Sequence, residues 1–202
     1  MTVVWVVLGC AAAFLVGAAS PATLVARALG ADLARSGSGN PGATNAGRVL
    51  GRKWGVLVGV LDVLKGALPP IVAGLLGQPT WVGYLVGAAA VLGHVFSPFL
   101  RGRGGKGVAT TLGAVLAVHP WYAAALVVVF GLVFAATRWV ALGSLCAAAV
   151  LAIVGVLAAA GVVPGGVGWA TGAWAVGLGL LVGWRHRTNV VARWRASRAR
   201  RR

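Results

Sequence analysis

Acid is nearly missing from this chain. Of its 202 residues only Asp32 and Asp62 are acidic, against 18 Lys and Arg, for a formal net charge of +16. Cysteine is scarce too, at two residues. Cys10 and Cys146 sit inside apolar runs and share no ligand spacing, so neither a disulfide framework nor a metal site is indicated. Both read as small core residues. No basic residue precedes the first apolar run, Thr2 to Ala26; the first Arg is Arg27. A secretory signal carries positive charge at that place. The run is expected to be a retained anchor with its N-terminus outside.

What the chain has in quantity is apolar length. It is 59% hydrophobic, with a mean hydropathy of +0.91. Soluble domains run near about 45–50% apolar. A soluble nucleic-acid binder reaches such a charge, but over a polar surface. Here the apolar runs are too long for one water-soluble core of this size, so no nucleic-acid partner is expected. Several runs approach the roughly 20 residues that cross a bilayer core. The 32 glycines favour close helix approach in lipid and hence a compact bundle.

Seven segments emerge: Val3–Ala26, Trp54–Leu76, Trp81–Phe99, Gly107–Val118, Tyr122–Thr137, Val140–Ala160 and Val167–Trp184. The fourth is short. Trp5, Trp54, Trp81, Trp121, Trp139, Trp169 and Trp184 fall near segment ends, as interfacial aromatic belts do. The loops after segments one, three and five and the tail after segment seven hold 17 of the 18 basic residues; Lys65 lies inside a segment. The loops after segments two, four and six hold none. By the positive-inside rule the cationic face is cytoplasmic. The expected fold is therefore an all-α integral membrane bundle of seven transmembrane helices in the plasma membrane. A single domain is expected over 1–194, with a poorly ordered basic tail over 195–202 that touches anionic lipid.

Three cytoplasmic stretches carry chemistry. The first runs from Ser36 to Arg48, through Gly37-Ser38-Gly39-Asn40-Pro41-Gly42-Ala43-Thr44-Asn45. Glycines permit close backbone approach and can turn N–H groups into an anion nest. Ser38, Asn40, Thr44 and Asn45 add neutral hydrogen-bonding groups, and Arg48 adds a guanidinium fork. A flexible turn is the plainer reading, but the length of the Gly, Ser, Asn and Thr run favours a site. The second reads Arg101-Gly102-Arg103-Gly104-Gly105-Lys106-Gly107 and opens an apolar helix. It lacks P-loop spacing. Its glycines are expected to expose backbone donors, with Lys106 as a point charge before a helix N-terminus. The alternative is a plain positive-inside loop. The third is Trp184-Arg185-His186-Arg187-Thr188-Asn189. His186 reads as a general acid or base, a phosphate ligand, or part of an interfacial anchor. Asp62 and Lys65, three residues apart inside segment two, are expected to pair and position neighbouring loops. His94 and His119, near segment ends, read as structural.

These blocks resemble the membrane acyl-phosphate:glycerol-3-phosphate acyltransferases of bacteria, the PlsY family. The match runs in order through Gly37 to Asn45, then Leu61-Asp62-Val63-Leu64-Lys65-Gly66, then Gly93-His94 with Gly104-Gly105-Lys106-Gly107-Val108-Ala109-Thr110, and finally Arg185-His186 with Asn189. It extends to about Trp194. The resemblance implies seven helices with an external N-terminus. It implies transfer of a fatty acyl group from acyl phosphate to the 1-hydroxyl of glycerol 3-phosphate, giving lysophosphatidic acid and phosphate, without acyl-CoA, acyl carrier protein, metal or organic cofactor. It carries catalytic roles onto Ser38, Arg48, Lys106, His186 and Asn189. Substrate or phosphate contacts are expected at Gly39, Asn40, Thr44, Asn45, Arg103, Gly104, Gly105 and Ser144. The chain departs from the family pattern at Gly102, at Arg103 where Lys is usual, in a proline shifted to Pro98, and at Thr188 where Glu is usual. Two phosphate-bearing substrates would rationalise so basic a face. The competing class is a transporter of a phosphorylated anion, which would place polar groups near the midplane and on both faces. The outer loops are nearly bare, which favours the enzyme.

Overall fold

The computed structural model describes residues 3–163 and 168–199. Among them every regular element is helical: α1 (Val3–Ala18), α2 (Pro21–Ala28), α3 (Ala43–Val49), α4 (Arg52–Leu75), α5 (Thr80–Val95), α6 (Val108–Val118), α7 (Pro120–Thr137), α8 (Val140–Ala159), α9 (Trp169–Arg185) and α10 (Arg187–Ala199), with a short 3₁₀ turn at Pro98–Leu100. The expected start of the seventh segment, Val167, lies outside the described residues.

The first apolar run is not one helix. Pro21 has no N–H and disfavours helical geometry at Ser20, so the chain breaks there. Ser20 then caps α2, its Oγ accepting the N–H of Thr23 at 3.2 Å. Among the described residues five stretches are long and apolar enough to cross a bilayer: Val3–Ala28, α4, Thr80–Leu100, α7 and α8. The fourth and seventh expected segments correspond to α6, of 11 residues, and α9, of 17. At about 1.5 Å per residue both are shorter than a bilayer core of roughly 30 Å. Of the basic tail expected over 195–202, residues 195–199 continue α10 to Ala199, and 200–202 lie outside the described residues. Arg and Ala favour helix, and the Arg198 guanidinium stacks 3.9 Å over the Trp194 ring one turn away.

The helices group into two compact units, residues 1–124 and 125–202. In the first, α1 packs on α5, and α4 packs on α5 and α6. Glycines set both of the tightest crossings. A Cβ on Gly17 would strike the Ala90 carbonyl, and one on Gly93 the Phe14 carbonyl. Likewise Gly66 faces the Thr110 carbonyl, and Gly113 the Val63 carbonyl. Packing of this kind suits lipid, where backbone approach replaces hydrophobic collapse. In the second unit α8 packs on α9, where a Cβ on Gly172 would stand 2.6 Å from Ala159 Cβ. Val127, Val128 and Leu132 of α7 and Ile153 and Val156 of α8 are each more than half exposed. Exposed apolar side chains in this number call for an apolar solvent.

Candidate active site

The first loop connects α2 to α3 and is built around one side chain. Asn45, in the first turn of α3, is 1% exposed. Its Oδ1 accepts the backbone N–H of Ser38 at 2.8 Å. Its Nδ2 donates to the carbonyls of Ser36 at 3.0 Å and Leu33 at 3.3 Å. The loop wraps this amide through Gly37 and Gly39, with φ of +62° and +71°. A Cβ at Gly37 would collide with Asn45 Oδ1, so only glycine fits that turn. Asn45, expected among the substrate contacts, is thus engaged in shaping the loop. Ser38 stands exposed on the loop, Asn40 is half-buried, and Thr44 and Arg48 are exposed on α3. Asp32 turns the loop's start, its Oδ1 accepting the Ala34 N–H at 2.9 Å. Its 3.7 Å contact with Arg35 is solvent-exposed and adds little.

The second loop follows α5 and lies tightly against it. Ser97 Oγ donates to the Ala18 carbonyl at 2.7 Å. Arg101 and Gly102 turn with φ of +53° and +75°, and the Gly102 N–H donates to the Ser97 carbonyl at 2.8 Å. Then the Gly104 N–H donates to the Val95 carbonyl at 3.2 Å, and the Gly105 N–H to the His94 carbonyl at 3.1 Å. Both glycines are buried. The expectation that they expose backbone donors is corrected: those N–H groups are engaged by the last turn of α5. Their lack of side chain serves packing, because a Cβ at Gly104 would strike the His94 carbonyl and one at Gly105 the His94 ring. The charges come from Arg101 and Arg103, which are exposed, and Lys106, which is half-buried next to the start of α6.

Both loops border one cavity of about 680 Å³ within the first unit. Gly39 and Pro41 of the first loop and Arg103 of the second line it, with Arg27, Asp32 and Arg101. Three guanidinium groups against one carboxylate make it a place for an anion. Ser38, Arg48 and Lys106 are not among its walls.

The remaining expected residues lie in the second unit. Ser144, 3% exposed in α8, donates its hydroxyl to the Val140 carbonyl at 2.9 Å. His186 ends α9 and is 2% exposed. Its Nδ1 lies 2.8 Å from the Val182 carbonyl oxygen, which can only accept, so Nδ1 carries the proton. In the neutral ring Nε2 is then the basic nitrogen. The backbone N–H of Asn189, in the first turn of α10, donates to the His186 carbonyl at 2.9 Å.

The Asp62–Lys65 pair forms as expected, with Nζ 3.0 Å from Asp62 Oδ1. Lys65 Nζ also donates to the Ala19 carbonyl at 2.6 Å. Sequence reasoning missed that His94 joins this pair, its Nδ1 3.6 Å from Asp62 Oδ1. The carboxylate, the imidazole and the ammonium are each less than a tenth exposed.

The family model described as glycerol-3-phosphate acyltransferase matches residues 7–196. The chain belongs to that family. A glycerol-3-phosphate acyltransferase of Myxococcus xanthus is 42% identical over 193 residues, covering 95% of each chain. One of Trichlorobacter lovleyi is 45% identical over 144 residues, covering 71% of this chain and 74% of its own. A crystal structure of PlsY, described as an integral membrane glycerol 3-phosphate acyltransferase in its glycerol 3-phosphate form, superposes with a TM-score of 0.85. It is 37% identical and covers 95% of this chain and 92% of that one. The lysophosphatidic acid form of PlsY superposes with a TM-score of 0.82 at 36% identity. Like that glycerol-3-phosphate acyltransferase, this member of the family is a multi-pass membrane protein, as its apolar helices require.

Proposed function

We propose that the protein transfers a fatty acyl group from acyl phosphate to the 1-hydroxyl of glycerol 3-phosphate, at the cytoplasmic face of the plasma membrane. The reading includes seven membrane-crossing helices with the N-terminus outside, α6 and α9 completing the five longer spans. The observation that carries it is the meeting of both glycine-rich loops at one cationic cavity. The family relationship supports the acceptor, and the near absence of acid supports a site for two phosphate-bearing molecules.

Acyl phosphate is a mixed anhydride and already activated. Direct transfer needs orientation and charge stabilisation rather than a protein nucleophile. The acceptor's 1-hydroxyl oxygen forms a bond to the acyl carbon, and the bond from that carbon to the phosphate oxygen breaks. The hydroxyl proton passes to His186 Nε2 or to the departing phosphate. Arg48, Arg103 and Lys106 neutralise phosphate charge. Ser38 and Asn189 hydrogen-bond the phosphate or the developing oxyanion, with Gly39, Asn40, Thr44 and Ser144 as further substrate contacts. Gly39 and Arg103 line the cavity; the roles of Ser38, Asn40, Thr44, Arg48, Lys106, Ser144, His186 and Asn189 rest on the family motif.

A trapping experiment tests direct transfer. Purified protein is given labelled acyl phosphate without acceptor, quenched and examined by intact-protein mass. The expected mass is that of unmodified protein. An acyl adduct on Ser38 would replace direct transfer by a covalent route.

A further inference from the structure

A buried ion pair in a membrane helix has an energetic reason to be absent. Apolar residues of similar volume are often as stabilising, because both charges must leave water. Asp62 and Lys65 nevertheless sit buried in α4, and their contacts lead somewhere definite. Lys65 holds the end of α1 through the Ala19 carbonyl. Asp62 faces His94 Nδ1 on α5. The opposite edge of the same imidazole, at Nε2, occupies the space that a Cβ on Gly105 would take. Lys106 is the next residue.

We propose that His94 is a positioning residue, oriented by Asp62 and Lys65, that sets the second loop and thereby the affinity for the acceptor's phosphate. The Asp62 carboxylate lies 3.6 Å from Nδ1, beyond hydrogen-bond reach, and favours by charge the ring orientation that turns Nδ1–H toward it. The turned ring presents a flat, buried edge to Gly105. The N–H groups of Gly104 and Gly105 fasten the loop backbone to the same turn of α5. The loop is held from below by a side chain and from the side by two hydrogen bonds, so Lys106 is presented from a fixed backbone. The pair earns its place as an orienting device rather than as a source of stability. The inference rests on the acceptor being glycerol 3-phosphate.

Two double variants test it, assayed by steady-state kinetics in detergent or nanodiscs. Asp62→Leu with Lys65→Met removes both charges and keeps the volume. It is expected to raise KM for glycerol 3-phosphate about tenfold or more, the order seen when an outer partner of a ligating side chain is removed. KM for acyl phosphate stays near wild type, and kcat changes by less than about threefold, the signature of lost ground-state binding. Asp62→Asn with Lys65→Met keeps a partly negative oxygen facing His94 Nδ1 and is expected to restore part of the lost affinity. A merely structural pair would not give that rescue. Unchanged KM for glycerol 3-phosphate in the first variant overturns the proposal, as does an equal rise in both KM values. Should the first variant not fold, His94→Leu against His94→Asn gives the same comparison with the charge pair intact. A wild-type protein that makes no lysophosphatidic acid would instead defeat the functional reading.

Discussion

Asn45 accepts the backbone N–H of Ser38 at 2.8 Å, from below the loop on which Ser38 stands exposed. Asn45→Ala would leave that N–H and the Ser36 and Leu33 carbonyls without this partner. The Leu33 carbonyl bond is buried, and orphaning it costs about 1–3 kcal/mol; the other two are part-buried and cost less. The expected outcome is a lowered unfolding temperature together with a loss of kcat/KM of at least about tenfold, from a displaced Ser38. Asn45→Asp is expected to fail as well, because it lacks both donors. Parallel thermal unfolding and kinetics check this.

Gly37→Ala is expected to reproduce that defect from the other partner. Its backbone is left-handed, and the added methyl would meet Asn45 Oδ1. Gly30, also left-handed, has open space around its Cα. Gly30→Ala therefore carries only backbone strain of about 1 kcal/mol and is expected to keep its activity. Activity that falls equally in both would argue against the Asn45 scaffold.

His186→Ala is expected to lower kcat by about 100-fold or more if Nε2 takes the proton. His186→Gln is not expected to rescue, since an amide cannot accept that proton. Near-normal turnover in His186→Ala would assign the proton to the departing phosphate.

His119 links stability to pH. Its Nε2 lies 2.8 Å from Tyr84 Oη and its ring stacks on Tyr122, between α6 and α7. Burial holds its pKa below the ordinary 6.5. The unfolded chain therefore takes up a proton first as pH falls. This contribution to stability is complete above about pH 6.5, declines below it, and levels off below the folded pKa. Unfolding temperatures at about pH 7 and about pH 5 are expected to differ less in His119→Gln than in wild type. An equal difference would remove His119 from the acid response.

Much of this was legible in the residues because spans and motifs are local patterns. The one-sided charge and the apolar runs gave the helices, and the break at Ser20-Pro21 was there to be read as a cap followed by proline. The site was legible by composition but not by role. Asn45 reads as a phosphate contact because Asn hydrogen-bonds either way; its burial and its three bonds to the loop backbone assign it to the loop. Gly104 and Gly105 read as anion binders, whereas the partner that demands glycine, His94, lies ten and eleven residues earlier on another element. His94 joining the Asp62–Lys65 pair depends on how α4 meets α5, which no local pattern encodes.

The most direct test of the account is to incubate the purified protein with acyl phosphate and labelled glycerol 3-phosphate, and to follow labelled lipid and released phosphate together. The account predicts lysophosphatidic acid and phosphate in equal amounts, with no product when acyl-CoA replaces acyl phosphate. Absence of labelled lipid with acyl phosphate, or formation of it only with acyl-CoA, would contradict it.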